Sequence, residues 1–256
     1  MGSTFPPARL FLVGGRSGRA RDEGTVLAAL ARLAGEGGPA RVVVASFAGR
    51  GEATRAAFAG LDIADFRLFE VGDREGLDHA RTLAAVERAT AVVFDGDDPR
   101  RIAGLVRDTR LDAAIRRRLG DGLIVVGLGP AAAALAGRML VDDVIDPDHG
   151  PGPEVTEPIT GLGYLPGAVL DPFFGCDDLT DRLVSALAEG PDDLGLGVDD
   201  ATALSIGRGL LEVVGPGGAA VVDASRADGP AIRHALGPGD RFDLAARSPV
   251  GKTGEF

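Results

Sequence analysis

Several residue types are scarce in this sequence, and each scarcity narrows what the protein can be. There is one cysteine, Cys176, which excludes an internal disulfide and makes the cytoplasm the expected compartment. No apolar run reaches the roughly 18 residues that a membrane-spanning helix needs, so we expect no membrane segment. The N-terminal stretch lacks a basic segment followed by an apolar one, which argues against a secretory signal.

The overall composition is that of an ordinary globular protein with an excess of acidic residues. The 256 residues are 45% hydrophobic and 25% charged, and the formal net charge is -11. An acidic chain repels phosphate backbones, so we expect no nucleic-acid partner. Lys252 is the only lysine, a bias that is typical of a GC-rich genome rather than of a particular function.

The first half of the chain alternates between short apolar runs and helical patterns. We predict strands over 9–13, 41–46, 66–71, 91–94 and 122–126. We predict helices over 23–35, 51–59, 77–89, 99–109, 111–119 and 130–139. This alternation is typical of βαβ units, so we predict an α/β protein of three layers, with a mostly parallel central sheet and helices on both faces.

The second half has shorter strands and one long loop. Residues 142–163 are rich in proline, glycine and acidic residues, and a loop of this length is usually functional or disordered. A helix near 178–189 and strands over 194–198, 203–206, 210–214 and 219–223 are predicted to extend the first sheet. No hinge linker separates the halves, so we predict a single domain over 1–256 with a structured core from 9 to 247.

The most informative segment is DGLIVVGLGPAAAALAG at 121–137, where a predicted strand runs into glycines and a small-residue helix. One interpretation is a nucleophile elbow, the tight strand-to-helix turn that presents a catalytic side chain. Another is a dinucleotide fingerprint made of Gly127, Gly129 and Ala132, with Asp146 as the ribose-binding acid. A third is a tight turn with no ligand.

The whole chain resembles the cyanophycinase family of serine peptidases, which has a class I glutamine amidotransferase-like fold. The resemblance runs from Leu10 to about Arg247. Its motifs are FLVGG at 11–15, ATAVVFDGDDPRRIAGLV at 89–106, the elbow, GLGYLPGAVLDPFF at 161–174, LGLGVDDATAL at 194–204 and PGDRFDLAAR at 238–247.

The resemblance implies a serine nucleophile at the elbow, where the family reads GTSAGA. This chain reads GLGPAA, which places Gly129 at the nucleophile position and Pro130 after it. The backbone N–H after the nucleophile normally helps to stabilise the oxyanion in this fold, and proline has no N–H. Neither the attacking group nor that donor is therefore expected here.

The other catalytic positions that the resemblance implies also differ. Phe173 stands at the histidine position, while Asp200 in GVDDATAL matches the acidic third member with a shorter side chain. Asp177, Asp178 and Leu179 replace an arginine-rich stretch that contacts substrate in the family. The strand-4 loop reads Asp95, Gly96, Asp97, Asp98, Pro99, so its glutamine has become Pro99.

These concurrent losses predict that serine hydrolysis is absent. The former pocket is then expected to be lined by acids at Asp95, Asp97, Asp98, Asp177 and Asp200, beside Phe173. Clustered carboxylates can carry out acid–base chemistry or bind a cation. The alternative is that they are solvated loop residues and helix caps, and Asp98 has the pattern of a cap.

Other reactive residues carry weaker signals. Cys176 lies three residues after Phe173, but Asp177 and Asp178 disfavour a thiolate, so an unreactive cysteine is the preferred interpretation. His79, His149 and His234 have no metal-ligand spacing, and we expect neither a metal nor another cofactor.

Three functions fit these observations. The first is a non-catalytic homologue that binds a peptide or a small metabolite, favouring a cationic one. The second is a repurposed enzyme that uses Asp200 and Asp97 for acid–base chemistry in a cyclisation, isomerisation or elimination. The third is a dinucleotide binder. The resemblance also implies a homodimer.

Overall fold

The structure is a computed structural model. It describes residues 9–15, 23–47, 49, 51–140, 145–146, 150–151, 158–173, 179–188, 190, 193–225 and 229–251. The strands are β1 (Arg9–Val13), β2 (Arg41–Ser46), β3 (Asp65–Glu70), β4 (Ala91–Asp95), β5 (Ile124–Leu128), β6 (Ala136–Met139), β7 (Ile145–Asp146), β8 (Gly150–Pro151), β9 (Ile159–Thr160), β10 (Leu165–Asp171), β11 (Leu194–Val198), β12 (Ala203–Gly207), β13 (Leu210–Val214), β14 (Ala219–Asp223), β15 (Ile232–Leu236), β16 (Arg241–Asp243) and β17 (Ser248–Val250).

Most of the helices end earlier than the predicted patterns. They are α1 (Glu23–Ala34), α2 (Gly51–Ala57), α3 (Arg74–Asp78), α4 (Ala80–Arg88), α5 (Pro99–Val106), α6 (Arg110–Leu119), α7 (Pro130–Leu135) and α8 (Leu179–Ala186). Among the described residues, none of these helices combines the length and the apolar character that crossing a bilayer requires.

The larger sheet has the order β17-β16-β13-β12-β1-β5-β4-β2-β3. Its β1, β5, β4, β2 and β3 run parallel, as the alternating pattern predicts, and β12, β13, β16 and β17 extend it with antiparallel pairing. Parallel strands end at the same edge of a sheet, so the loops after β1, β4 and β5 lie side by side.

Helices cover both faces of this sheet. Along β2, Val42 and Val44 pack in one apolar cluster with α1, while Val43 and Ala45 pack in another with α4 to α7. Successive strand residues point to opposite faces, so a strand covered on both sides is apolar at every position. The α/β class with two helical layers is therefore confirmed.

A second sheet corrects the prediction that the C-terminal strands all extend the first. It has the order β15-β14-β11-β10-β6-β9, whereas only β12, β13, β16 and β17 join the larger sheet. The apolar runs of β11 and β12 are alike in the sequence. Strand partners depend on long-range packing, which a local pattern does not encode.

Two helix predictions were also wrong in part. The predicted helix over 130–139 ends at Leu135, and the chain continues directly as β6. Every residue of α7 is buried, so no amphipathic period marks its end. The predicted helix over 77–89 is interrupted at His79, whose ring accepts a hydrogen bond from the Arg81 N–H as the N-cap of α4.

Candidate functional site

The turn between β5 and α7 keeps the backbone form of a nucleophile elbow. Gly129 has φ 54° and ψ -127°, a conformation that costs a residue with a side chain about 1–3 kcal/mol. Pro130 follows as the first residue of α7, where its fixed φ suits a helix start. Glycine therefore allows the sharp turn to form without strain.

Close packing explains the other small residues of this turn. A Cβ added to Gly127 would lie 2.4 Å from the Ala132 Cα, and the Ala132 N–H donates to the Gly129 carbonyl oxygen at 2.9 Å. These contacts account sterically for the residues of the dinucleotide fingerprint, and α7 has only six residues. The ribose-binding candidate, Asp146, lies in the short strand β7.

The end of β1 connects the elbow to the second sheet. The Gly129 N–H donates to the Val13 carbonyl oxygen at 3.0 Å, and the Gly15 N–H donates to the Pro172 carbonyl oxygen at 2.6 Å. A Cβ added to Gly14 would lie 2.3 Å from the Asp199 carbonyl oxygen. The loops after β5, β10 and β11 therefore meet at the turn after β1.

Besides Gly129, three of the predicted pocket positions lie at this meeting point. Asp95 pairs in register with Leu128, the residue before Gly129. Phe173 directly follows Pro172, and the Asp200 Oδ1 would lie 2.8 Å from a Cβ added to Gly15. The fold therefore brings residues that follow separate strands to one edge, and their role as a site stays a prediction.

The strand-4 loop is less open than the sequence suggests. Asp95 is only 3% exposed, and the Thr54 hydroxyl donates to its carboxylate. Gly96 is buried too, and a Cβ there would lie 3.0 Å from the Phe47 Cβ. The Asp95 carboxylate therefore belongs to the interior rather than to an open pocket wall.

The two remaining acids of that loop differ from each other. Asp98 accepts hydrogen bonds from the N–H groups of Arg100 and Arg101 as the N-cap of α5, which is the alternative that its pattern indicated. Asp97 is exposed.

Sequence reasoning missed Asp199, the neighbour of Asp200. Its carboxylate accepts the Gly218 N–H at 2.7 Å, and it is less exposed than Asp200. Burial raises the pKa of the Asp199 carboxyl, the Gly218 N–H opposes that rise, and the charge of Asp200 adds to it. The adjacent acids in GVDDATAL were the available signal, but their burial depends on the fold.

Phe173 is positioned by a buried ion pair. Its N–H donates to the Asp171 Oδ1 at 3.0 Å, and the Asp171 Oδ2 lies 3.2 Å from the Arg182 Nε. The side chains of Asp171 and Arg182 are 0% and 2% exposed. Helix α8 is thereby fixed to the end of β10, beside the candidate pocket.

Some predicted residues fall outside the described ranges. Cys176, Asp177 and His149 are among them, so the structure does not test their predicted roles. Within the described residues, no three histidine, cysteine or acidic side chains are grouped closely enough to hold a metal ion.

Comparison with known proteins adds the evolutionary context. No protein-family profile matches the chain. Cyanophycinases do: that of Synechococcus elongatus is 30% identical over 167 residues, covering 65% of this chain and 52% of its own. That of Geminocystis herdmanii is 28% identical over 209 residues, covering 75% and 76%.

Solved structures agree with this relationship at the level of the fold. A peptidase from an acI-B1 Actinobacterium superposes with a TM-score of 0.68 at 19% identity, covering 92% of this chain and 96% of its own. A putative peptidase E from Listeria monocytogenes has a TM-score of 0.54 at 10% identity, covering 81% and 98%.

The chain is therefore similar to cyanophycinases in sequence and to these peptidase structures in fold. Its fold is the class I glutamine amidotransferase-like α/β type, as the sequence motifs predict. The chain spans about half the length of the first cyanophycinases it matches, since it covers 52% of them.

Proposed function

We propose that this chain is a non-catalytic member of the cyanophycinase-like family that binds a peptide or small metabolite at the edge formed by the ends of β1, β4, β5, β10 and β11. The observation that carries the proposal is the composition of the elbow, where Gly129 has no attacking group and Pro130 has no N–H. In this fold, amide hydrolysis uses the first as the nucleophile and the second as an oxyanion donor.

Two further observations support a non-catalytic role. The Gly15 N–H, which lies at the same edge, is already bonded to the Pro172 carbonyl oxygen and does not serve a developing oxyanion. Phe173, at the position implied for the base, has no group that accepts a proton.

The ligand we propose is cationic. Asp97 and Asp200 are exposed at this edge, and Asp199 adds a third carboxylate beside Asp200. Exposed carboxylates attract ammonium and guanidinium groups, whose charge-assisted hydrogen bonds are stronger than neutral ones.

The decisive experiment measures hydrolysis and binding separately. Cyanophycin is incubated with this chain and with a cyanophycinase as the positive control, and released product is followed by mass spectrometry. No product is expected here, nor from Gly129→Ser alone, because losing one oxyanion donor costs about 10²–10³ in rate. Hydrolysis by the unmodified chain at the rate of the control would overturn the proposal.

Binding is tested by calorimetry with arginine amide and with glutamate as probes. Heat of binding is expected with the cationic probe only, and Asp200→Asn is expected to weaken it. Equal binding of the two probes, or binding that Asp200→Asn leaves unchanged, would contradict a carboxylate-lined cationic site.

A repurposed enzyme is the second candidate, and the raised pKa of Asp199 is the observation that favours it. A carboxyl group whose pKa is raised beside an ionised one can act as an acid while its neighbour acts as a base. Candidate metabolites are screened by mass analysis with Asp97→Asn, Asp199→Asn and Asp200→Asn variants. Turnover that survives all three changes would remove this candidate.

The cytoplasmic location stays a prediction from Cys176, the homodimer from the family resemblance, and the single domain from the lack of a hinge linker in the sequence. Size-exclusion chromatography with light scattering of the purified chain tests the dimer directly.

A further inference from the structure

Strand β3 forms one outer edge of the larger sheet. It pairs with β2 on one side, and no other described strand lies against its second side. An outer strand presents unpaired backbone groups to whatever approaches it. This edge is three strands away from β5, which carries the elbow.

The hydrogen-bond pattern shows which groups point outward. The Val71 N–H donates to the Ser46 carbonyl oxygen at 2.8 Å, and Ser46 lies opposite Glu70 in register. Odd-numbered residues of β3 therefore direct their N–H and C=O groups toward β2, and Phe66 and Leu68 direct theirs away from it. Within the described part of the chain, neither of these two N–H groups has a hydrogen-bond partner.

A groove of about 380 Å³ runs along this edge. It is lined by residues of α2, β3 and α4, namely Arg55, Asp65, Phe66, Arg67, Leu68, Phe69 and Arg81. The residues of β3 from Asp65 to Phe69 are only partly buried. The groove thus joins unpaired backbone groups to accessible aromatic side chains.

The groove is cationic although the chain is acidic. Its three arginines face a single acid, Asp65, which pairs with Arg67 at 3.1 Å. The Arg55 guanidinium lies 5.4 Å from the centre of the Phe66 ring. Among the described residues, Arg55 and Arg81 have no carboxylate partner, so two positive charges are left over in a chain of net charge -11.

The positive charge of the groove indicates which kind of partner can bind there. A second copy could pair β3 with β3 about Phe66, which places Asp65 opposite Arg67 of that copy. The same pairing brings two Arg55 side chains together, because each lies over a Phe66 ring at the axis. Like charges at close range oppose association, so the cationic groove suits an acidic partner better than itself.

We propose that the β3 edge is a docking site for an extended acidic peptide segment, which adds to the sheet as a further strand. Its backbone bonds to the outward groups of Phe66 and Leu68, and its carboxylates meet Arg55 and Arg81. Backbone pairing supplies affinity in this mode of recognition, while side-chain contacts supply specificity.

The test uses three labelled heptapeptides of alternating charged and valine residues. The first carries glutamates, the second carries lysines at the same positions, and the third is the glutamate peptide with alternate backbone nitrogens methylated on its pairing side. Fluorescence anisotropy is expected to show binding of the first only, weakening as salt rises. The methylated probe removes strand pairing without any change to the protein.

Charge-reversal variants test the side-chain contacts. Arg55→Glu combined with Arg81→Glu is expected to lower affinity for the glutamate peptide by about tenfold or more. Arg32→Glu is a control for a charge reversal elsewhere, because Arg32 is an exposed helical arginine outside this groove, and it is expected to leave affinity unchanged. Circular dichroism confirms that each variant is folded.

Several outcomes would overturn the proposal. They are equal binding of the lysine peptide, no effect of backbone methylation, the same loss from Arg32→Glu as from the groove variant, and no binding of the glutamate peptide. A concentration-dependent dimer that the glutamate peptide does not dissociate and that the groove variant abolishes would show that a second copy occupies the edge instead.

Discussion

The N–H of Gly15 donates to the carbonyl oxygen of Pro172 across 2.6 Å. This single hydrogen bond joins the end of β1 in the larger sheet to the end of β10 in the second sheet. It therefore brings the loop that contains Phe173 to the edge where the elbow lies, and the candidate pocket depends on this junction.

The conformation of Gly129 leads to a stability prediction. Gly129→Ser is expected to lower the free energy of unfolding by about 1–3 kcal/mol, because a side chain is strained at φ 54° and ψ -127°. Gly104→Ala in α5 is the control: nothing lies within 4 Å of its added Cβ, so it is expected to stabilise by about 0.4–1 kcal/mol. Urea denaturation measures both, and an unchanged Gly129→Ser variant would contradict the observed turn.

The buried pair of Asp171 and Arg182 leads to a second prediction. Arg182→Met is expected to cost about 3–5 kcal/mol, since it removes the partner of a carboxylate that is 0% exposed. Arg138→Met removes a pair with Asp193 that is 21% exposed on each side and should cost about 1 kcal/mol or less. Equal losses in the two variants would show that burial does not control the strength of the Asp171 pair.

Asp223 is expected to make stability depend on pH in acid. Burial raises the pKa of its carboxyl, but hydrogen bonds from Ser225 and the positive charge of Arg247 outweigh burial, so its pKa is lowered from 3.8. A lowered pKa stabilises the folded state above the unfolded value, and this contribution is lost as pH falls through the folded pKa.

The measurement compares the native chain with Asp223→Asn in urea denaturation across the acidic range. The native chain is expected to be the more stable above about pH 3.8, and its advantage should shrink below that value. Arg247→Met should reduce the same advantage, because the Arg247 guanidinium lies 2.6 Å from the Asp223 Oδ1. An advantage that stays constant with pH would contradict the lowered pKa.

Asp199 is expected to show the opposite dependence. Because its pKa is raised from 3.8, ionisation costs the folded state more than the unfolded state. The stability that the protonated Asp199 carboxyl contributes to the folded state is complete below its pKa in the unfolded chain. That contribution is lost as the pH rises through its pKa in the folded chain. Asp199→Asn keeps an oxygen that accepts the Gly218 N–H. As the pH rises between the unfolded and folded pKa values, the free energy of unfolding of this variant should rise relative to that of the native chain, and above the folded pKa the difference should stay constant. A gain that grows toward lower pH would contradict this assignment.

The elements that the sequence predicts best are those whose residues carry a local period or cap. Strands β1 and β2 have their predicted bounds, and Asp98 forms the helix cap that Asp98–Pro99 indicates. Each of these depends on neighbours within a few positions along the chain. The family motifs add the expected fold type.

Other features depend on residues that are distant in sequence. The run over 130–139 carries no period because α7 is buried on all sides, so its change into β6 is invisible before the fold is known. Asp199 was missed for a similar reason, since its environment comes from Gly218 in the loop before β14.

The sequence alone determined the α/β class and the glycine–proline turn after β5, because these follow from residue identity and short-range pattern. Only the tertiary structure decided that β11 and β12 belong to different sheets, that Gly15 is bonded to Pro172, and that β3 has an open cationic edge. Strand order and backbone pairing come from contacts between distant segments. No single segment of the sequence determines the free energy of those contacts.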